Sequence, residues 1–304
     1  MPLSRRRFLL AGGAGAVALG AGTLGLVERG VLPGRTRLHT ATGACGTAAD
    51  PPDADPGPMI DGSFRSAARG GRDVGWTIAY PPGARDDASL PVCLALPGRG
   101  GDHTSAFTAL GVQHHLAAAV AGGARPFAIA SVDGGDASYW HRRADGDDPA
   151  RMVTEELLPM LAARNLRAGP NDRIGFIGWS MGGYGSLLFA ETLTASRVAV
   201  VVAASPALWK TGAESAAGAF DDAADFEAHN VFKAREKLAG IALRVDCGDA
   251  DPFAAAVREF VTELPASTAA TPTSSSFESG CHDDAYWMRM LPAQTRFLAD
   301  HLPA

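Results

Sequence analysis

The sequence predicts an α/β fold with a mostly parallel sheet and helices on both of its faces. From Leu90 onward, short apolar runs alternate with longer segments whose apolar residues recur at helical spacing. The short runs are continuously apolar, as in strands that are buried on both faces of a parallel sheet. Upstream, two strand-like runs at 62–69 and 74–80 flank Gly70 and Gly71, which predicts an antiparallel hairpin before the parallel strands.

The composition and net charge limit the classes of protein to which this chain could belong. The chain has 304 residues, of which 46% are hydrophobic and 20% are charged, and this is enough for one large core. A net charge of −6 does not suggest a nucleic-acid surface, so we expect no nucleic-acid partner. The four cysteines contain no C-x-x-C pair and no zinc-ligand spacing, and we therefore expect no metal.

The chain is predicted to divide into three regions. In residues 1–36, Arg5-Arg6-Arg7 precedes a weakly hydrophobic run at 11–27, which matches a twin-arginine export signal. That run is also long enough to span a membrane marginally, and no convincing A-x-A cleavage site follows it. Residues 37–60 are predicted to form a linker and residues 61–304 the folded domain. We expect a protein exported by the Tat machinery, either secreted or anchored by an uncleaved signal.

A G-x-S-x-G pattern marks the centre of the predicted domain. The stretch Gly178–Gly182 (Gly-Trp-Ser-Met-Gly) lies between an apolar run at 174–177 and a helical pattern at 181–193. Strand, sharp turn and helix form the context of a nucleophile elbow, which exposes the serine hydroxyl above the sheet. We expect Ser180 at the apex in a strained conformation, with the Met181 N–H available to an oxyanion.

The apolar strand 90–96 ends in a glycine-rich loop, Pro97–His103, and a helix is predicted at 105–121. Such a loop can bind phosphate or hold an oxyanion. The lysine of a phosphate loop is missing, and glycines leave backbone N–H groups free to face a reacting carbonyl. The oxyanion interpretation is therefore favoured.

A long polar loop, 133–148, follows the predicted strand 126–132. Because long loops at strand ends usually line sites, we expect the site to include its central aromatic residues, Tyr139, Trp140 and His141. The next helix is predicted at 149–164, with Glu155 and Glu156 facing outward.

The segment 209–240 is a polar, acidic insertion after the predicted strand 198–204. It contains three phenylalanines, Phe220, Phe226 and Phe232. A small cap over the site and ordinary surface helices are equally consistent with this pattern.

Three aspartates, Asp246, Asp249 and Asp251, follow the predicted strand 241–245. Asp251 stands before a proline at a helix start, so it could simply cap that helix. The alternative is an acid that orients a histidine. The Gly248-x-x-Asp251 spacing favours Asp251, with Asp249 as the fallback.

The candidate base is His282, which follows the last predicted strand, 274–278, and precedes a helix at 285–302. His141 is its only serious rival, but it precedes Ser180 in the chain and is expected to line the pocket. Cys281 stands beside His282, and Cys247 lies before the candidate acid, so a disulfide between the two cysteines could join these loops outside the cytoplasm.

The order serine, aspartate, histidine is that of the α/β-hydrolases. The segments Leu96–Gly101, Ser138–His141, Gly178–Gly183, Gly248–Phe253 and Gly280–Asp283 resemble those of the putative-esterase family of α/β-hydrolases. That family includes esterase D (S-formylglutathione hydrolase), enterochelin esterase and the antigen-85 mycolyltransferases. The elbow and the spacing of His282 and Trp287 look closest to the mycolyltransferase branch.

The resemblance implies a role for each matching residue. It makes Ser180 the nucleophile, Asp251 the acid and His282 the base, with the oxyanion held by the N–H groups of Met181 and Arg99. It is also consistent with a set of residues that would contact substrate: Gly98, Gly100, Tyr139, Trp140, His141, Trp179 and Trp287. No metal or organic cofactor is needed for this chemistry.

The function that we expect is hydrolysis of carboxylic esters, on small-molecule or lipid substrates, through an acyl-enzyme intermediate. An acyltransferase that moves the acyl group to a sugar or alcohol hydroxyl is the first alternative. A non-catalytic binding protein of the cell envelope is an alternative of another class, and a missing triad member would be its mark.

Overall fold

The computed structural model describes residues 41–269 and 273–304, so the predicted signal at 1–36 lies outside the described residues. The strands are β1 (Met59–Ser66), β2 (Arg72–Ala79), β3 (Val92–Leu96), β4 (Ala128–Val132), β5 (Ile174–Trp179), β6 (Val198–Ala204), β7 (Ala242–Gly248) and β8 (Thr273–Glu278). They form one sheet in the order β1-β2-β4-β3-β5-β6-β7-β8. The predicted α/β-hydrolase fold is confirmed.

Helices connect the parallel strands. They are α1 (Ser105–Thr108), α2 (Val112–Ala121), α3 (Pro149–Arg151), the π-helical segment Met152–Leu157, α4 (Leu158–Ala163), α5 (Met181–Arg197), α6 (Ala223–Ala228), α7 (Ala254–Thr262), α8 (Ala266–Ala269) and α9 (Asp284–His301). Single 3₁₀ turns lie at Gly212–Glu214, Val231–Lys233 and Arg235–Leu238. Within the described ranges, no helix has the length and apolarity needed to cross a membrane.

The N-terminal hairpin is antiparallel, as predicted. β1 pairs with β2 along its whole length, and β2 joins the sheet by antiparallel pairing with β4. The chain reverses at Gly70 and Gly71, which have φ values of +64° and +78°. Residues with a Cβ are strained at positive φ, whereas glycine is not. These two glycines therefore allow the tight connection.

The core has two layers, one on each face of the sheet. All seven residues of β6 are buried. Successive strand side chains point to opposite faces, so Val201 packs in one layer while Val200 and Val202 pack in the other. Full burial of one such side chain contributes roughly 1.5–3 kcal/mol. The continuous apolar pattern thus follows from burial on both faces.

Two helices differ from their predictions. The helix expected at 105–121 is divided at Gly111, whose φ is +63° and where a Cβ would lie 2.8 Å from Pro51 Cγ. The prediction that Glu156 faces outward is wrong. Its carboxylate accepts hydrogen bonds from the Ser66 hydroxyl and from the Ala68 N–H, and it thereby ties the helix to the hairpin.

The disulfide joins Cys45 to Cys281, not Cys247 to Cys281 as considered above. Cys247 is a buried free thiol because its side chain packs in a core layer within β7. The described part of the predicted linker is held against the domain beside this bond. Ser279 donates to the Ala44 carbonyl (3.0 Å), and Arg289 donates to the Thr47 carbonyl (2.6 Å).

Replacing Cys45 by serine should lower the free energy of unfolding by about 2–4 kcal/mol, because the disulfide restricts the unfolded chain. Urea unfolding of the oxidised protein measures this loss. The Cys45→Ser/Cys281→Ser double variant should match the single variant, since each removes the same bond. Thiol titration of the unfolded, unreduced wild type should find the two free cysteines, Cys93 and Cys247. Four titratable thiols would contradict the pairing.

Helix α5 carries a buried carboxyl group, that of Glu191, with no positively charged group in hydrogen-bond contact among the residues that the structure describes. Glu191 is buried, and its Oε1 has no hydrogen-bond partner in the described part of the chain. Burial raises the pKa of Glu191 to about 9, against the smaller opposing effect of Lys237. The carboxyl is therefore neutral in the folded protein at pH 7.

Glu191 should make the protein less stable as the pH rises from about 4.5 to about 9. In that window the unfolded chain releases this proton and the folded chain retains it, so rising pH favours unfolding by at most about 1.4 kcal/mol per pH unit. Glu191→Gln should be more stable than wild type at pH 8, and the two should be nearly equal at pH 4.5. Urea unfolding at both pH values tests this. An equal difference at the two pH values would contradict a neutral Glu191.

Candidate active site

The turn between β5 and α5 holds Ser180 in a strained conformation, with φ +55° and ψ −116°. Two glycines make the turn possible. A Cβ on Gly178 would lie 2.2 Å from the Gly182 carbonyl oxygen, and one on Gly182 would lie 1.8 Å from the Leu96 carbonyl oxygen. No real Cβ approaches so closely, so the spacing of the two glycines is a steric requirement of the turn.

Ser180, His282 and Asp251 are joined by consecutive hydrogen bonds. The distance from Ser180 Oγ to His282 Nε2 is 2.9 Å, and that from His282 Nδ1 to Asp251 Oδ2 is 2.8 Å. The three residues follow β5, β7 and β8, whose carboxyl ends lie at the same edge of the sheet. In this arrangement, His282 can accept the serine proton while its other nitrogen donates to the carboxylate.

Asp251 is the aspartate that reaches His282. Its side chain is fully buried, and its second oxygen, Oδ1, accepts the Phe253 N–H (2.8 Å). Asp249 instead is half exposed and pairs with Arg258 at the surface. Asp246 is buried within β7, where Arg244 and Gln294 donate to it.

Two aromatic rings fix the orientation of the His282 imidazole. Phe253 and Trp287 each meet it edge to face, with ring centroids 5.2 Å away. The side chain of His282 is 23% exposed, so it is reachable from solvent. The adjacent Cys281 anchors the loop through its disulfide.

A cleft of about 380 Å³ opens at Ser180. Gly98, Trp179 and Trp287 line it, as the sequence suggested, together with Arg99, Ala106 and Leu110. A Cβ on Gly98 would lie 3.6 Å from Ser180 Cβ, so the glycine loop directly adjoins the serine. Gly100 has a different role, because its N–H donates to the Asp136 carbonyl (2.9 Å) and fixes the loop.

The candidate oxyanion donors are the N–H groups of Met181 and Arg99. Across residues 41–269 and 273–304, neither group has a hydrogen-bond acceptor. Met181 is the first residue of α5, where backbone N–H groups have no partner within the helix. The Arg99 side chain turns away and donates to the Ala217 carbonyl (3.3 Å).

The expectation that Tyr139, Trp140 and His141 line the Ser180 cleft is not met. Tyr139 and Trp140 have positive φ values (+48° and +60°), and all three side chains are buried. Trp140 packs on Gly185, where a Cβ would lie 2.3 Å from its ring. His141 lines a separate cavity of about 290 Å³ instead.

The insertion 209–240 meets the edge of the cleft, because Arg99 of the lining donates to the Ala217 carbonyl (3.3 Å). No residue of the segment itself lines the cleft. Trp209 packs against Phe253 (ring centroids 5.5 Å apart), and Phe220 packs against Tyr139 (6.0 Å). Because Phe253 also packs on His282, the segment supports the candidate base indirectly through this ring.

Two further titratable groups, Asp284 and Cys247, lie near the hydrogen-bonded Ser180, His282 and Asp251. Burial, followed by the charge of Asp283, raises the pKa of Asp284, which lines the cleft. Burial raises the pKa of the Cys247 thiol, so this cysteine remains protonated and does not compete as a nucleophile.

Two groups of side chains in the described ranges have metal-ligand spacing. One consists of Cys45, Cys281 and Asp283, but its cysteines are joined in the disulfide. The other consists of His141, Asp225 and His229. No local sequence pattern indicates this second group, because 88 residues separate its two histidines.

Comparison with known families identifies the chain. The family model described as "Putative esterase" matches residues 67–298. The chain belongs to the putative-esterase family. This esterase is therefore an enzyme of the carboxylic ester hydrolase class.

Solved structures share the fold of this esterase at low sequence identity. A ferulic acid esterase is 21% identical, with a TM-score of 0.68 over 80% of this chain and 98% of that one. The S-formylglutathione hydrolase of Staphylococcus aureus is 18% identical, with a TM-score of 0.61 over 80% and 98%. Mycobacterium tuberculosis MPT51 is 17% identical, with a TM-score of 0.60 over 81% and 99%. A search of curated protein sequences found no match.

Proposed function

We propose that this chain is an exported serine esterase that cleaves carboxylic esters through a Ser180–His282–Asp251 triad and an acyl-enzyme intermediate. The observation that carries the proposal is the continuous hydrogen-bond chain from Asp251 through His282 to Ser180. A serine hydroxyl is a poor nucleophile until a base takes its proton, and His282 Nε2 lies at the distance that this transfer needs.

In the acylation step, Ser180 Oγ attacks the ester carbonyl carbon as its proton passes to His282. The carbonyl oxygen gains negative charge, which the N–H groups of Met181 and Arg99 stabilise. When the tetrahedral intermediate collapses, His282 gives the proton to the leaving alkoxide, and an alcohol departs. Asp251 keeps the Nδ1 proton in place and stabilises the imidazolium.

In the deacylation step, water takes the position that the alcohol left. His282 removes a proton from the water, and the resulting oxygen attacks the acyl carbon. Collapse of the second tetrahedral intermediate returns the proton to Ser180 and releases the carboxylic acid. The same three residues therefore serve both steps.

The cleft indicates the substrate size. Its volume of about 380 Å³ is at the small end of the usual range for ligand pockets. Ala106, Leu110, Trp179 and Trp287 present apolar surface near Ser180. These walls suit the acyl part of a small ester, and the alcohol part would face the opening.

Acyl transfer to a sugar or alcohol hydroxyl is the second candidate function. It is supported by the apolar walls beside Ser180, because exclusion of water prolongs the life of an acyl-enzyme. Turnover of a p-nitrophenyl ester with increasing concentrations of a glucoside acceptor separates the two. An acyl glucoside that forms faster than free acid would indicate a transferase.

The export proposal has support beyond the twin-arginine motif. Disulfides persist in oxidising compartments, and Cys45 is bonded to Cys281. Cell fractionation tests this directly: the protein should be found outside the cytoplasm, and Arg5→Lys/Arg6→Lys/Arg7→Lys should retain it inside. Equal export of the two forms would reject the twin-arginine route.

The test of the catalytic proposal is labelling with a fluorophosphonate, read by intact mass. Wild type should gain a single adduct, and Ser180→Ala should gain none while its circular dichroism is unchanged. This expectation follows because only an activated serine displaces fluoride from the reagent. A folded wild type that gains no adduct would favour the non-catalytic binding protein.

A further inference from the structure

The glycine-rich loop after β3 presents the Arg99 N–H, one of the two candidate oxyanion donors, through a tight turn. The Gly101 N–H donates to the Gly98 carbonyl (3.1 Å), and Gly100 has a φ of +74°. A turn of this kind leaves the N–H of its second residue, here Arg99, outside its own hydrogen bond. The position of that N–H relative to the nucleophile therefore depends on what holds the turn from outside.

The carboxylate of Asp133 holds the C-terminal end of the loop. Asp133 is the first residue after β4, and its Oδ1 accepts the N–H of His103 (2.8 Å). Its Oδ2 accepts the N–H of Gly75 in β2 (2.8 Å), and the Asp133 N–H donates to the Gly75 carbonyl (3.0 Å). One carboxylate thus connects the glycine-rich loop to the N-terminal hairpin. Both of its oxygens accept backbone N–H groups, whereas an amide has only one oxygen to offer.

The side chain of His103 provides a second attachment to the hairpin. The Thr77 hydroxyl donates to the Asp61 carboxylate, so its oxygen accepts the Nδ1 proton of His103 (2.8 Å). The imidazole also lies against Gly75, where a Cβ would be 2.3 Å from His103 Cδ2. The backbone and the ring of His103 are therefore both fixed against β2.

The backbone that follows Asp133 holds the turn itself. The Asp136 carbonyl accepts the N–H of Gly100 (2.9 Å), the residue directly after Arg99. The loop after β4 thus fixes the glycine-rich loop at two points, positions 100 and 103. Because glycine restricts the backbone least, a turn this rich in glycine needs such external contacts to keep one conformation.

We propose that Asp133 is a positioning residue of this esterase, which sets the Arg99 N–H at the place where the oxyanion forms. The proposal rests on the proposed function, since it concerns the second oxyanion donor of that mechanism. Asp133 does not line the Ser180 cleft, whereas Arg99 does, so Asp133 acts through the loop and not on the substrate. A displacement of about 1 Å at such a donor can lower the rate about 10²-fold.

Asp133→Asn tests the proposal, with p-nitrophenyl butyrate as the substrate. One of the two backbone N–H groups then meets an amide N–H₂ instead of an oxygen, and the loop is expected to shift. The value of kcat should fall about 10- to 100-fold with little change in KM, a smaller loss than complete removal of a donor causes. Rates are expressed per active site titrated with the fluorophosphonate, so that unfolded protein does not contribute.

Butyl trifluoromethyl ketone reports on the oxyanion directly. Ser180 Oγ would bond to its carbonyl carbon, the serine proton would pass to His282, and the π electrons of the carbonyl would become a lone pair on the oxyanion. In Asp133→Asn the inhibition constant should rise by the factor by which kcat/KM falls, as expected for a transition-state analogue. Butyl methyl ketone, a ground-state analogue, should keep its affinity. A purely structural role would leave both constants unchanged per titrated site.

Asp172→Asn is the matched control. Asp172 also accepts a backbone N–H, that of Gly169 (2.8 Å), but it precedes β5 and lies at the opposite end of that strand from Ser180. This variant should retain wild-type kcat. Thr77→Val gives a second measurement if Asp133→Asn does not fold, because it removes the hydroxyl that holds the His103 ring. Its kcat should fall about 3- to 10-fold, with a parallel rise in the inhibition constant of the trifluoromethyl ketone.

Three results would overturn the proposal while leaving the triad in place. They are wild-type kcat in both Asp133→Asn and Thr77→Val, an equal loss in Asp172→Asn, and equally weakened binding of both ketones in Asp133→Asn. A wild type that neither hydrolyses the ester nor forms the ketone adduct would instead reject the proposed function, and the role of Asp133 with it.

Discussion

Replacing His282 by alanine should lower kcat for ester hydrolysis about 10⁶-fold, the scale found when a triad base or nucleophile is removed. The Ser180 hydroxyl loses its proton acceptor, which lies 2.9 Å away, and the leaving alkoxide loses its proton donor. Steady-state kinetics with a p-nitrophenyl ester measure the loss. Circular dichroism and urea unfolding confirm that the variant is folded.

Ser180→Ala should reduce kcat by about the same factor, and the double variant Ser180→Ala/His282→Ala should be no worse than either single variant. This non-additivity is expected because each residue is useless to catalysis without the other. Losses that multiply in the double variant would mean that the two residues act independently, contrary to the proposed triad. His301→Ala, a histidine at the end of α9, serves as the control and should retain wild-type kcat.

Asp251→Asn should lower kcat about 10⁴-fold while the fold is retained. The asparagine carbonyl can still accept the Phe253 N–H, so the loop keeps its backbone contact. Its amide N–H₂ then faces His282 Nδ1, and this favours the tautomer in which Nε2 carries a proton. That nitrogen can no longer accept the proton of Ser180.

Asp249→Asn provides the matched control for this prediction. Asp249 lies two residues before Asp251, is half exposed and pairs with Arg258. Exposed ion pairs contribute about 0–1 kcal/mol, and this pair does not involve His282, so kcat should change by less than about threefold. A larger loss in Asp249→Asn than in Asp251→Asn would move the acid to Asp249. Kinetics of the two variants under one set of conditions decide the matter.

The sequence predicted the sheet and the elbow because both depend on local patterns. Continuous burial on two faces makes β6 apolar at every position, and close backbone contacts require glycine at 178 and 182. The sequence predicted that three residues meet at one edge of the sheet, namely Ser180, Asp251 and His282, because each follows a strand of the same parallel sheet. The choice of Asp251 over Asp249 depended in addition on the Gly248-x-x-Asp251 spacing and on the family resemblance.

The features that were missed depend on contacts between distant segments. Cys45 and Cys281 are 236 residues apart, and no pattern near Cys45 indicates that it lies beside the final strand. The loop at Tyr139–His141 is polar on average, which suggested an exposed lining of the site. Positive φ values at Tyr139 and Trp140 turn these side chains inward, and such backbone conformations are rarely evident for aromatic residues.

The strained conformation of Ser180 lowers the stability of the fold at the position where the proposed activity needs a hydroxyl. A residue with a side chain at φ +55° and ψ −116° costs about 1–3 kcal/mol, and glycine would tolerate this backbone without that cost. Selection for thermal resistance alone would therefore favour loss of the hydroxyl that the proposed chemistry requires. The surrounding core supplies the stability that offsets this strain. Destabilising substitutions far from the cleft would therefore leave less stability to tolerate a strained serine at position 180.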